Sequence, residues 1–196
     1  MSDNVRKLER ECFVTVGATA GFPQLIDAVL SEESLQALKE TGYTRLTLQC
    51  GPSLSHFQEI RPTGSRTFGL NINAFDFNKK GLGQEMRALQ AREGDNAEGL
   101  VISHAGTGTI LDTLRLGLPL IVVPNTSLLD NHQEELAAEL ARQHYCVKSN
   151  ISGLPNAIRK IDSISKKKWA AAEHASVKTV VDGMVGYEED VFGRLD

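Results

Sequence analysis

No run of apolar residues in this sequence approaches the roughly 20 that a membrane-spanning helix needs, so no anchor of its own is expected. Cysteine is scarce. Cys12, Cys50 and Cys146 are odd in number, widely spaced and set in apolar, strand-like surroundings, which excludes a disulfide framework and a zinc site and fits reduced core residues of an intracellular protein. Basic residues are not in excess: 21 Lys and Arg against 25 Asp and Glu leave a net charge of -4, which argues against a general nucleic-acid binder. Met1 to Arg10 is charged and lacks the apolar core of a secretory signal. There is no G-K-[ST] of a P-loop and no G-x-S-x-G nucleophile elbow, although Ser103-His104 superficially suggests a hydrolase. Internal repeats and low-complexity tracts are missing as well.

What is present is enough for one well-packed domain with a tail: 196 residues, 41% of them hydrophobic. "CFVTVGATAGFPQLIDAVL" predicts a buried strand at Phe13, Val14 and Val16, a small-residue loop from Gly17 to Gly21, and a helix whose inner face is Phe22, Leu25, Ile26 and Val29. A second helix over Ser34 to Glu40 stops at Gly42, and "TRLTLQC" alternates like a strand. Gly51 to Thr67, rich in Pro, Gly and Ser, reads as a surface loop before the strand "LNINAFDF" and a helix over Gln84 to Arg92. Leu100 to Ile102 is the next strand, followed by helix Ile110 to Leu116 with Gly117 at its C′ position and the strand "LIVV". A helix over Asn131 to Gln143, a strand at Tyr145 to Lys148 and a helix from Leu154 complete six strands alternating with helices. That alternation predicts an α/β fold with a mostly parallel sheet, helices on both faces and ligands outside the carboxyl ends of its strands.

Two loops join a strand to a helix there, Gly17-Ala18-Thr19-Ala20-Gly21 and His104-Ala105-Gly106-Thr107-Gly108-Thr109. Glycine permits close backbone approach and helix N-termini favour anions, so a diphosphate is a natural guest; a plain tight turn explains the same glycines equally well. A dinucleotide fingerprint would need Gly or Ala where Leu111 stands, which weakens NAD as the ligand. Asp112 follows Thr109 by three residues and Gln133 follows Asp130 by three, spacings that read as capping boxes. Both helix starts nevertheless follow successive strands, where Asp112 or Gln133 could meet a ribose hydroxyl. His132 in "DNHQ" is a further ligand candidate, whereas His56, His144 and His174 have no partner pattern. "SKKKW" at Ser165 to Trp169 reads as a solvated basic face, with contact to an anionic membrane as the sharper alternative.

"ISHAGTGTILDTLRLGLPLIVVPN", followed by "LLDNHQEELAAELA", resembles the donor-binding half of GT-B glycosyltransferases, specifically the small eukaryotic subunit of the dolichol-linked UDP-N-acetylglucosamine transferase. "FVTVGATAGFPQLIDAVL" is similar to the start of that subunit, and the resemblance runs from about Phe13 to Arg159. It implies a single Rossmann-like domain over residues 11–168, half of a GT-B fold, and a C-terminal helical tail over residues 169–196. In the tail, Val177, Val180, Val181 and Met184 have helical spacing and form an apolar stripe that needs cover, either from the domain's own sheet or, as the resemblance implies, from a partner. Carried over, Gly17 and Thr19 lie near the diphosphate, and His104, Gly106, Thr107, Gly108 and Thr109 line the donor cleft. Asp112 stands where bacterial relatives carry a glutamate for the ribose, one methylene longer. Asn125, Asn131, His132 and Gln133 match the segment that meets ribose and sugar.

The implied function is transfer of the second N-acetylglucosamine, from UDP-N-acetylglucosamine to N-acetylglucosaminyl-diphosphodolichol in N-glycan precursor synthesis. A chain with the length of one half-enzyme needs a membrane-anchored partner subunit for acceptor binding and the general base. The resemblance therefore places a cytoplasmic chain at the cytosolic face of the endoplasmic reticulum, recruited by that partner. No cofactor is expected, and no DxD-like acidic pair calls for a metal. A non-catalytic nucleotide-binding regulatory module of the same fold is the alternative.

Overall fold

The computed structural model describes residues 8–126 and 132–165, and only the backbone of His132, Ile164 and Ser165. Six strands, β1 (Glu11–Thr15), β2 (Arg45–Gln49), β3 (Asn71–Phe75), β4 (Leu100–Ser103), β5 (Leu120–Val122) and β6 (Val147–Lys148), form one sheet in the order β3-β2-β1-β4-β5-β6. Every pairing is parallel, as strands joined by helical crossovers require. The seven helices of the described residues are α1 (Pro23–Leu30), α2 (Glu32–Glu40), α3 (Leu54–Ile60), α4 (Gly83–Ala88), α5 (Thr107–Arg115), α6 (His132–Arg142) and α7 (Leu154–Ser165). The α/β fold expected from the alternation of strands and helices is thus the fold observed.

Strand side chains alternate between two apolar layers because successive residues point to opposite faces. Cys12, Val14, Leu46, Leu48, Leu100 and Ile102 pack with Leu25, Ile26, Val29, Leu35, Leu38 and Ile158 in one layer. Phe13, Val101, Leu120 and Val122 pack with Met86, Ile110, Leu114, Leu136 and Leu140 in the other. Local signals agree with this burial. Ser31 caps α2 by accepting from Ser34 N at 3.2 Å, Glu32 and Glu33 occupy its positive first turn, and α1 begins on Pro23, which has no N–H to orphan. Gly117 at φ 68° takes the left-handed C′ position after α5. All three cysteines are buried and free, and burial pushes the Cys50 thiol up to about 12.

Two elements differ from expectation. The segment read as a surface loop contains α3, whose Leu54, Phe57 and Ile60 recur on one face and whose Phe57 is buried. Gly51 and Pro52 stand in a 3-10 turn immediately before the helix, so the residues taken for breakers are starters. The helix expected to reach Arg92 ends at Ala88, because Asn96 Nδ2 donates to the carbonyls of Ala88 and Gln90 at 3.2 and 3.0 Å. The proposed tail, with its apolar stripe, and most of "SKKKW" lie outside the described residues.

Arg10 joins the two ends of the described fold. Its Nη1 and Nη2 donate to Asp162 Oδ2 and Oδ1 at 2.9 and 2.6 Å, Nη1 also to Thr41 O at 2.7 Å, and Nε to Glu98 O at 2.9 Å. The guanidinium also lies 4.3 Å from the centroid of the buried Tyr43 ring. It therefore fastens α7 to the amino end of β1 and to the turn before β2. Arg10→Met is expected to cost about 2 kcal/mol in denaturant unfolding, and Asp162→Asn about 1 kcal/mol because its carboxylate is partly solvated.

Candidate functional site

The strand order reverses direction at β1, which has β2 on one side and β4 on the other. Such a switch point opens a crevice beyond the carboxyl ends of the two flanking strands. Thr15 and Ser103, the last residues of β1 and β4, face each other in register there. Gln49, at the end of β2, is only 2% exposed and spends its amide on three neighbours. Its Oε1 accepts from Thr15 Oγ1 at 2.6 Å, and its Nε2 donates to Gly17 O at 3.1 Å and Asp76 O at 2.8 Å. The loops after β1, β2 and β3 are thereby held by one side chain. Gly17 meets that requirement at φ 88°, a conformation only glycine adopts without strain.

His104 follows β4 and leans back over β1. Its backbone N–H and its ring Nδ1 both lie 3.3 Å from Thr15 O. A carbonyl can only accept, so Nδ1 carries the ring proton and Nε2 is left as an acceptor. Burial pushes the imidazole pKa below its ordinary 6.5, with the Thr15 bond acting in the opposite direction, so the ring is neutral at pH 7. A Cβ at Gly17 or at Gly106 would stand 2.7 Å from this ring. Both glycines are therefore needed by His104 before any ligand arrives, and the space expected for a diphosphate at Gly106 is filled by imidazole. Ala105, between them, holds φ at 75° and is 1% exposed, a strained conformation of the kind found at functional sites.

The strained turn delivers the chain directly into α5. Gly106 is its N-cap, no side chain caps it, and no acidic residue lies in its first turn. The first N–H groups of a helix have no partners within it, so Thr107, Gly108 and Thr109 present donors and a positive partial charge. A Cβ at Gly108 would meet nothing within 4 Å, in contrast to Gly106. Gly108 thus faces open space at an uncapped helix start.

The other expected residues fall into distinct groups. Thr19 is exposed in the loop after β1. Asp112 does not form the capping box read from its spacing: Thr109 is already inside α5, and Asp112 pairs with Arg115 at 3.4 Å on the helix surface. Asn125 is 4% exposed after β5, and its N–H donates to Gln133 Oε1 at 3.4 Å, which joins that segment to the first turn of α6. Asn131 and the side chain of His132 lie outside the described residues, as does Asp130 of the second box. His56, expected to be partnerless, has its Nε2 2.6 Å from Asp27 Oδ1. Ser103 is fully buried, which removes the nucleophile its sequence neighbourhood suggested. The sequence reading missed Thr15 and Gln49. Their signal was a polar residue at the very end of each of two apolar strands, where a soluble sheet has no structural need of one.

A parallel sheet with a glycine-lined crevice at its switch point and an uncapped helix start is the Rossmann-like architecture of one half of a GT-B glycosyltransferase fold. The glycosyltransferase family 28 C-terminal domain matches residues 11–185, and the chain belongs to that family. It is 38% identical over 162 residues to the Saccharomyces cerevisiae UDP-N-acetylglucosamine transferase subunit ALG13, covering 70% of this chain and 76% of that one. The Homo sapiens protein of the same name is 38% identical over 137 residues, 68% of this chain and 11% of that one. Among solved structures, the NMR structure of ALG13 superposes with a TM-score of 0.65 at 31% identity, covering 89% of this chain and 96% of that chain. The MurG of Acinetobacter baumannii shares the fold, with a TM-score of 0.57 at 19% identity over 89% of this chain and 49% of that one. The resemblance read from the sequence motifs is therefore upheld.

Two consequences are open to measurement. Gly106→Ala is expected to cost about 1–3 kcal/mol through overpacking against the imidazole. The cost should shrink by about 1 kcal/mol or more when His104→Ala is added, as a double-mutant cycle of denaturation midpoints would show. The buried ring also sets a pH dependence. Its proton affinity is higher in the unfolded chain, so the unfolded state takes up more protons as pH falls below 6.5, and stability declines on acidification. Comparing unfolding at pH 5 and pH 7 should show a smaller decline in His104→Gln.

Proposed function

We propose that this chain is the donor-binding subunit of a transferase that moves N-acetylglucosamine from UDP-N-acetylglucosamine to N-acetylglucosaminyl-diphosphodolichol. The observation that carries this reading is the start of α5, uncapped, at the switch point, with Gly108 facing open space. The names borne by the yeast and human relatives, UDP-N-acetylglucosamine transferase subunits, support the donor. The diphosphate rests against Gly17, Thr19 and the N–H groups of Thr107, Gly108 and Thr109, where charge appears on the leaving UDP as the glycosidic bond breaks. His104 and Gly106 shape the floor of that site. Asp112, Asn125, Asn131, His132 and Gln133 address ribose and sugar.

Chemistry on the acceptor requires a second half-site. A membrane-anchored partner subunit supplies it, binding the lipid-linked acceptor and holding the base that deprotonates the attacking hydroxyl. Attack opposite the leaving UDP inverts the anomeric centre and gives a β1,4-linked chitobiose. Among the described residues no helix is long and apolar enough to cross a membrane. The donor domain spans residues 11–168, and the tail of residues 169–196 is the segment offered to that subunit, through the stripe at Val177, Val180, Val181 and Met184.

Gly108→Val tests the donor site with little disturbance of the fold, because a Cβ at this position meets no heavy atom within 4 Å outside its own helix backbone. Calorimetric titration with UDP should show at least about tenfold weaker binding, the thermal midpoint should hold within about 2 °C, and transfer by the reconstituted complex should fall in parallel. Unchanged UDP affinity in this variant would refute the placement of the diphosphate.

A further inference from the structure

Among the described strands Gln49 is the one long polar side chain that is buried. Thr15 and Phe75 flank it in register, and Phe13, Val101 and Val122 fill the layer beside it with apolar atoms. An apolar residue would serve that packing, since a buried amide costs free energy unless its groups are bonded. Two of the three side-chain bonds Gln49 makes lead out of the strands, to Gly17 O and Asp76 O. Its purpose lies in the loops.

These contacts converge on Gly17. Its carbonyl accepts from Gln49 Nε2 at 3.1 Å, and its N–H donates at 3.3 Å to Thr15 Oγ1, the hydroxyl that itself donates to Gln49 Oε1. A Cβ at Gly51 would stand 2.6 Å from Gly17 O and 3.4 Å from Gln49 Nε2, so a third glycine keeps the approach open. Asp76 O accepts from Gln49 Nε2 and from Gly51 N at 2.8 and 2.9 Å, which anchors the amide from its other side. Both peptide units that flank Gly17 are thereby fixed. The second of them carries the N–H of Ala18, and in a planar trans peptide that N–H points opposite to the carbonyl. With the Gly17 carbonyl turned to a buried amide, the Ala18 N–H is turned away from it. Ala18 is exposed, and among the described residues its N–H donates to no protein acceptor. Without Gln49 the unit could rotate, because glycine resists such a rotation least.

We infer that Gln49 is a positioning residue for the donor: by holding the Gly17 carbonyl inward it aims the Ala18 N–H at the diphosphate. The inference rests on the donor reading above. Its test is calorimetric titration of the full chain with UDP, at a low temperature where circular dichroism shows every variant folded. Gln49→Met should weaken binding about tenfold, the worth of one hydrogen bond to a charged group. Thr15→Val, which removes the hydroxyl between the two residues, should weaken it about threefold, and Thr15→Ser should keep it within about twofold of wild type. Arg10→Met loosens the fold from the opposite end of the sheet, so it controls for stability and should bind UDP as wild type does. In 1H–15N spectra the Ala18 amide should move on addition of UDP to wild type and stay in place in Gln49→Met. Wild type that binds no UDP overturns the donor reading and this inference with it. Wild type that binds, beside a Gln49→Met of equal affinity, overturns this inference alone. So does an Ala18 amide unmoved by saturating UDP, or an equal loss of affinity in Gln49→Met and Arg10→Met. Should Gln49→Met fail to fold, Thr15→Val and the wild-type spectra decide the matter by the same criteria.

Discussion

Everything at the carboxyl end of this sheet is arranged around one neutral imidazole. His104 takes the space that two absent Cβ atoms leave and binds the Thr15 carbonyl twice, once through its backbone and once through its ring. A glycine on each side is the steric condition for that placement. In return the loops after β1 and β4, separated by some eighty residues of chain, are fixed relative to each other. The strained φ at Ala105 belongs to the same arrangement, since the chain must turn sharply to pass from the ring to the first turn of α5.

The buried amide of Gln49 does for β2 and β3 what the imidazole does for β1 and β4. A glutamine at 2% exposure is costly unless its donors and acceptor are used. Here Oε1 and Nε2 are both engaged, on Thr15, Gly17 and Asp76. The two side chains share Thr15 and Gly17 as neighbours, so the four strands β3, β2, β1 and β4 end on a single polar layer laid over an apolar core. A pre-organised layer of this kind lets a helix N-terminus meet an anion without first ordering its own loop.

How much of this was legible in the sequence depends on the range of the signal. Strand and helix alternation is local, and the six strands followed from runs such as Leu100 to Ile102 and from "LIVV". The family motifs pointed to the same loops that the structure sets at the switch point. The helix at Leu54–Ile60 was obscured because Pro and Gly are read as breakers, whereas their meaning depends on which side of a helix start they occupy. Asp112 was misread because the capping box is a spacing rule, and the true start of α5 at Thr107 shifts every position by one turn phase. The true role of Gly106 was out of reach for a different reason. Its neighbour is an imidazole whose direction is set by a carbonyl on another strand, which no local pattern encodes.

The clasp between Arg10 and Asp162 bears on how the protein is made. Its two partners stand 152 positions apart, one at the entrance to the first strand and the other near the end of the last described helix. That helix also contributes Leu154, Ala157, Ile158 and Ile161 to the apolar layer over the central strands. During synthesis β1 leaves the ribosome first, gains β2 early, waits for β4 to cover its other edge, and remains short of one covering helix until α7 appears. Nascent chains of this protein therefore carry an incompletely covered apolar face until late in elongation, and their need for chaperone cover ends with α7 rather than with β6.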